Sequence, residues 1–169
     1  MISVRMADAI NGQINAELYS AYLYLSMRSY FDATKLPGCA NWMRVQAMEE
    51  FTHADRLYRY LNESGARATM TAIDGPPTEW DSALAVFQAV QAHEQKVTGL
   101  INALVDLATE ENDQATVSAL QWFVKEQEEE EESAEGVVRK AEQAGQTKEG
   151  LAKLDEELAR RAFHPPKTS

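Results

Sequence analysis

The chain carries a single cysteine, Cys39, among 169 residues. An internal disulfide is thereby excluded, and such usage fits a reducing compartment. Prolines are also sparse. Pro37, Pro76, Pro77, Pro165 and Pro166 all fall outside the periodic segments, so they punctuate helices rather than break them. No apolar run approaches the roughly 18 residues that a membrane span requires. The amphipathic N-terminus MISVRMADAINGQINAEL lacks the continuous apolar stretch of a signal peptide. The expected location is therefore cytoplasmic, with no membrane partner. Positive charge is the last shortage, with 16 Lys and Arg against 27 Asp and Glu, a formal net charge of −11. Nucleic acids select a basic footprint, so they are not expected partners, and the balance suits a protein that handles cations.

What the sequence does have is helical periodicity. With 44% hydrophobic and 25% charged residues, residues 1–169 are expected to form one globular domain with a sizeable core. Helices are predicted over about 7–32, 38–64, 81–109, 113–144 and 147–162, with Gly65 and Gly145 as stops and Asp81 or Ser82 as a cap. No alternating strand pattern competes, so the fold class is all-α. Four of these segments are about twice the usual globular helix length. The aperiodic stretch of about 66–80 extends, at roughly 3.3 Å per residue, about 46 Å, enough to run the length of a bundle. The expected architecture is a four-helix bundle with one long crossover and a short fifth C-terminal helix.

Each long helix has an apolar stripe with spacings of three and four, and each stripe is interrupted near its middle by a carboxylate. The four are Glu17, Glu50, Glu94 and Glu130. His53 follows Glu50 by three residues on the same face, and Gln127 precedes Glu130 by three. In the acidic run WFVKEQEEEEESAEG, Gln127 and Glu130 are thus expected to face inward, with Glu128, Glu131 and Glu132 toward solvent. Each unpaired buried ion costs several kcal/mol, against a total stability of about 5–15 kcal/mol. No Lys or Arg lies on the stripes at that level, so the carboxylates hold either protons or cations. Oxygen ligands with one imidazole suit iron better than zinc. Glu-x-x-His on one bundle helix, with Glu on facing helices, is the general pattern of di-iron carboxylate proteins.

Other candidates read more plainly. His93 lies beside Glu94 but off its stripe, as a surface or packing residue, and His164 lies in the Pro-rich tail with no expected role. Tyr24 shares a face with Glu17 and is either a packing ring or a neighbour of the site.

The combination NAELYSAYLYLSM, EEFTHADRLYRYL, HEQKVTGLINAL and LQWFVKEQEEEEES resembles the bacterial non-haem ferritins over nearly the whole chain. The resemblance implies an iron-storage homo-oligomer, a hollow 24-subunit shell. It implies a diiron ferroxidase centre with Glu17, Glu50 and His53 on the first iron. Glu50 would bridge to a second iron held also by Glu94 and Glu130, with Gln127 as a hydrogen-bonding partner. Glu49, Glu126 and Glu129 would, with Glu130, make a third iron site. Tyr24 and Trp122 match aromatic neighbours of the centre. Fe²⁺ and O₂ or H₂O₂ would be the substrates. Phe51 replaces the haem-ligating methionine of bacterioferritins, so no haem is expected. Val117 and Leu120 stand where animal ferritins place the acidic residues of a threefold channel. Two alternatives remain at this level: a diiron oxidase or peroxide scavenger that stores little iron, and a helical interaction bundle with titrating core acids.

Overall fold

The computed structural model describes residues 2–165, which contain five helices and no strand. The helices are α1 (Val4–Ala33), α2 (Pro37–Glu63), α3 (Ala83–Glu110), α4 (Gln114–Ala144) and α5 (Lys148–Leu158). Met1 and residues 166–169, the outer limits of the expected domain, lie outside the described residues, and Pro166 with them.

Short polar side chains start the helices by accepting the N–H bonds that a first turn leaves open. Ser3 Oγ accepts from the Met6 N–H at 2.9 Å, which is why α1 starts three residues before the predicted Ala7. Ser82, rather than Asp81, caps α3 at 3.1 Å from the Ala85 nitrogen. Asp113 and Thr147 do the same for α4 and α5. Pro37 occupies the first turn of α2, where its missing N–H costs nothing. Helix α5 stops at Leu158, short of the predicted 162. Beyond it, the carbonyls of Ala159 and Arg161 are taken by the Asn41 side-chain amide, at 3.3 and 2.9 Å.

Tight links at residues 34–36 and 111–113 make α1 antiparallel to α2 and α3 antiparallel to α4. The start of α1 lies beside the end of α3, with Ser3 and Arg5 bonded to Glu111 and Glu110. Helices α2 and α3 therefore run the same way, and the chain must cross the bundle's full length between them. It does so along α1. Asn11 bonds Arg67 and Thr69, Asn15 bonds Thr71 and Ala72, and Ser26 bonds the Pro77 carbonyl. Trp80 then stacks edge-on against Tyr30 at 5.6 Å between ring centres.

The core is divided. One apolar cluster gathers Tyr24, Phe31, Trp42, Met43, Phe87 and Val137, closed from below by Leu154 and Leu158 of α5. The other gathers Met6, Ile10, Leu57, Leu61, Ile101 and Leu120 at the opposite end. Each large side chain so buried contributes roughly 1.5–3 kcal/mol. Between the clusters lies a buried polar layer, and it contains the four stripe carboxylates.

Candidate metal centre

One carboxylate comes from the middle of each long helix. Helical spacing puts each in line with the apolar residues a turn before and after it, so burying the stripes buries the acids with them. Glu17, Glu50, His53 and Glu94 are each no more than 2% exposed, and Gln127 and Glu130 are buried as well. Glu17, Glu50 and His53 offer ligand atoms that all lie within 4.8 Å of one another. His53, Glu126 and Glu130 form a second such group, so the imidazole sits between the two. Its Nδ1 is 3.4 Å from Glu50 Oε2 and its Nε2 is 3.8 Å from Glu126 Oε1.

The other predicted residues are placed differently. Glu94 belongs to neither three-residue group. It accepts the Tyr24 phenol on Oε1 and the Gln127 amide on Oε2, the latter at 3.3 Å. Gln127 Nε2 also reaches the Glu94 carbonyl and Thr98 Oγ1, each at 3.3 Å. Of the acids assigned to a third site, Glu126 and Glu130 are brought together. Glu49 is instead paired with Arg161 at 2.6 Å, and Glu129 is exposed, 3.9 Å from Lys125. Glu128 and Glu132 face solvent, but Glu131 is half-buried and accepts the Thr98 hydroxyl at 2.5 Å. Trp122 packs edge-on to His53 at 5.5 Å and carries the Arg56 guanidinium over its other side at 4.3 Å. His93 is a packing residue, bonded to Ser20 at 2.8 Å and edge-on to Tyr24. Burial and then Lys96 lower it to about 4, so it is neutral. Phe51 is largely exposed, Leu120 is in the core, and His164 is exposed.

Burial dominates the electrostatics. It pushes the Glu50 carboxyl well above its ordinary range, and Glu94 adds to the effect. Glu94 is raised to about 8 by burial and then by Glu130. Burial also keeps the Tyr24 phenol protonated, with Glu94 reinforcing it. Burial alone would lower His53, but Glu126 and Glu50 outweigh it and hold the imidazole well above its usual value. Glu49 is raised to about 7 by burial, with Arg161 opposing.

Among the described residues, both oxygens of Glu50 and the Oε2 of Glu17 have no hydrogen-bond partner, and His53 Nδ1, 3.4 Å from Glu50 Oε2, makes an ion-pair contact without hydrogen-bond geometry. Buried carboxylate oxygens without partners cost the full desolvation of the group. A multivalent cation between Glu17, Glu50 and His53 would satisfy all three orphaned oxygens at once, and no side-chain donor does so. The donor set, hard oxygen with one imidazole, fits iron.

Residues 7–144 match the family described as Ferritin-like domain. The chain belongs to the ferritin family. It is 44% identical over 161 residues to a bacterial non-heme ferritin of Bacteroides fragilis, covering 95% of this chain and 100% of that one. A bacterial non-heme ferritin of Staphylococcus saprophyticus is 39% identical over 163 residues, covering 96% and 98%. The crystal structure of an open pore ferritin from the archaeon Archaeoglobus fulgidus superimposes with a TM-score of 0.94 at 51% identity, covering 96% of this chain and 100% of that chain.

Several ferritin residues around the centre escaped the sequence reading. Gln46 is fully buried and donates to Glu130 Oε2 at 2.9 Å, while Gln13 donates to Glu17 Oε1 at 2.9 Å. Gln46 was visible as a polar residue on the second stripe, one turn before Glu50. Gln13 stands four residues before Glu17. Arg161 had no signal, because it comes from an aperiodic segment and reaches the site only through the docking of α5.

Proposed function

We propose that this ferritin oxidises Fe²⁺ with O₂ at a centre within each chain and stores the ferric product as hydrated oxide inside an oligomeric shell. The observation that carries the reading is the set of orphaned oxygens on Glu50 and Glu17, enclosed with His53 in a layer that contains no Lys or Arg. Two Fe²⁺ ions are the substrates. Glu17, Glu50 and His53 hold the first, and Glu50 bridges to the second, which Glu94 and Glu130 complete. Anionic oxygen donors favour Fe³⁺ over Fe²⁺, so this ligand set lowers the cost of oxidation. One electron from each ion reduces O₂ to H₂O₂ with the uptake of two protons, and water on the ferric product gives up protons as the oxide forms. Gln127 and Gln46 orient Glu94 and Glu130, and Tyr24 donates a hydrogen bond to Glu94. Similarity to bacterial non-heme ferritins supports storage as the outcome, and the shell expected from the resemblance is the one that holds the oxide. An exposed apolar face on α1 and α2, with Tyr22, Leu25, Met48, Phe51 and Tyr58, supports association between chains.

The test is oxygen uptake and iron retention after aerobic loading of the wild type, Glu50→Ala and Glu130→Ala. Wild type takes up oxygen in proportion to Fe²⁺ and keeps far more iron per chain than its ligand sites can hold. Glu50→Ala loses more than the roughly 10–100-fold typical of an outer partner, because it removes a direct ligand to both ions. Retention of only a few ions per chain would instead make the centre a resident cofactor and rule out storage.

A further inference from the structure

The side chain of Arg161 lies against the acidic face of the centre and is held there from three directions. Its Nη2 pairs with Glu49 Oε2 at 2.6 Å, and its guanidinium carbon stands 4.4 Å above the Trp42 ring. Its own main-chain carbonyl accepts the Asn41 amide at 2.9 Å. Asn41 is itself fixed. Arg44 donates to its Oδ1 from both Nε and Nη2, at 3.3 and 3.0 Å, so the Asn41 NH₂ group must face the segment after α5. The ion pair is about one-fifth exposed on each side, so solvent screens it less than a surface pair.

Glu49 precedes Glu50 on α2, and its charge is felt together with those of Glu130 and Glu126. His53, Glu126 and Glu130 already present ligand atoms within 4.8 Å of one another, and Glu49 is not among them. With His53 engaged by the first ion, a third cation seated on Glu126 and Glu130 would draw on Glu49 as a further anionic ligand, but the guanidinium has taken one of its oxygens.

We propose that Arg161 is a built-in counter-ion that withholds Glu49 from this neighbouring group, so that a third metal ion binds at full strength only by displacing the guanidinium. The seat favours exchange rather than permanent closure. Among the described residues, Arg161 Nη1 is buried without an acceptor, so the closed arrangement leaves that donor unsatisfied. The segment that carries Arg161 lies past the end of α5, where Asn41 bonds the Ala159 and Arg161 carbonyls. Ion occupancy on the outer face and the seating of the Arg161 side chain are thereby linked: a metal ion that takes Glu49 removes the ion pair that holds the guanidinium, and a seated guanidinium raises the barrier to that ion. The reciprocal coupling follows from thermodynamic linkage.

This inference rests on the iron-handling reading, and its test separates the two. The measurement is anaerobic Fe²⁺ titration by calorimetry, which needs no turnover. Wild type is expected to bind two ions per chain tightly and a third weakly. In Arg161→Gln the first two are unchanged and the third binds on the order of tenfold tighter, about the 1.4 kcal/mol that such a factor represents. Arg161→Lys keeps the charge and stays nearer wild type. Adding Glu49→Gln to Arg161→Gln abolishes the gain. Asn41→Ala frees the segment after α5 without touching either charge and tightens the third ion less than Arg161→Gln does, so the proposal stands or falls even where one variant is poorly folded. Two bound ions with an unchanged or weaker third in both Arg161→Gln and Asn41→Ala overturn the proposal alone. Absence of tight Fe²⁺ binding in every protein, wild type included, overturns the iron-handling reading and the proposal with it.

Discussion

Gln46 donates its side-chain amide to Glu130 Oε2 at 2.9 Å, joining α2 to α4 inside the polar layer. The same amide leaves its own Oε1 buried without a donor. A fully buried glutamine with half its hydrogen-bonding capacity unused is costly, and its retention here orients a carboxylate. Gln46→Leu keeps most of the volume and removes that donor. The second Fe²⁺ is expected to bind about 10–100-fold more weakly while the first is little affected, as outer partners of metal ligands usually behave. Anaerobic titration resolves the two. Equal weakening of both ions would show that Gln46 merely supports packing.

Removal of metal should expose the cost of gathering these acids. The folded protein raises Glu50 well above, and Glu94 to about 8 from, an ordinary value of 4.5, mainly through burial. A group whose folded pKa is raised contributes stability that is complete below its unfolded pKa and disappears as pH climbs through the folded one. His53, also raised, has the same sign at higher pH. Metal-free protein should therefore lose stability between about pH 4.5 and 8. Saturating divalent metal binds the deprotonated carboxylates and should flatten or reverse the trend. Urea midpoints at pH 5 and pH 8, with and without metal, decide it. A metal-free protein more stable at pH 8 would contradict the assignment.

The bundle was legible because 3.6-residue periodicity and punctuation agree along the chain. The same periodicity revealed the site: Glu17, Glu50, Glu94 and Glu130 stand on stripes whose neighbours are apolar, so the arithmetic that buries Ile14 or Val97 buries them. Helix ends were less legible. Ser3 caps α1 before any apolar period begins, and α5 ends where Asn41, more than a hundred residues earlier, claims its following carbonyls. Pairings between side chains were the least legible. A Glu-rich run gives no sign that Glu131 takes a hydroxyl from Thr98 or that Glu49 is matched by Arg161, because those contacts depend on rotamers and on how α5 docks.

Tyr24 connects the apolar cluster to the polar layer by donating its phenol to Glu94. Burial and Glu94 keep that phenol protonated, so it serves as a donor across the neutral range. Tyr24→Phe preserves the ring packing and removes one hydrogen bond, for a stability loss of roughly 1.5–3 kcal/mol where the acceptor is charged and less where it is protonated. Fe²⁺ should still bind. Oxidation should slow, because Glu94 is then held only by Gln127 and adopts more than one orientation. Stopped-flow absorbance after mixing with aerated buffer measures the rate. An unchanged rate would reduce Tyr24 to a packing ring.

Gly38 lets α5 dock. A Cβ built on Gly38 would lie 1.7 Å from the Asp155 carbonyl oxygen and 3.0 Å from the Ala159 nitrogen, both main-chain atoms that no side-chain rotation can move. Beside it, the Cys39 N–H donates to Asp155 Oδ1 at 2.9 Å, and the buried Cys39 thiol is pushed far up by burial. Gly38→Ala should push α5 away, cost about 1–3 kcal/mol or more through overpacking, and strip the cover from Leu154, Leu158 and Cys39. Thiol labelling under native conditions reports the loss directly, since Cys39 is fully buried and unreactive while α5 is seated. Because Arg161 follows α5, the same substitution should also loosen its hold on Glu49. Rapid labelling of Cys39 together with a tightened third Fe²⁺ site is the expected pair of results. Native-like protection of Cys39 in Gly38→Ala would mean that the backbone yields at little cost and that the close approach does not control docking.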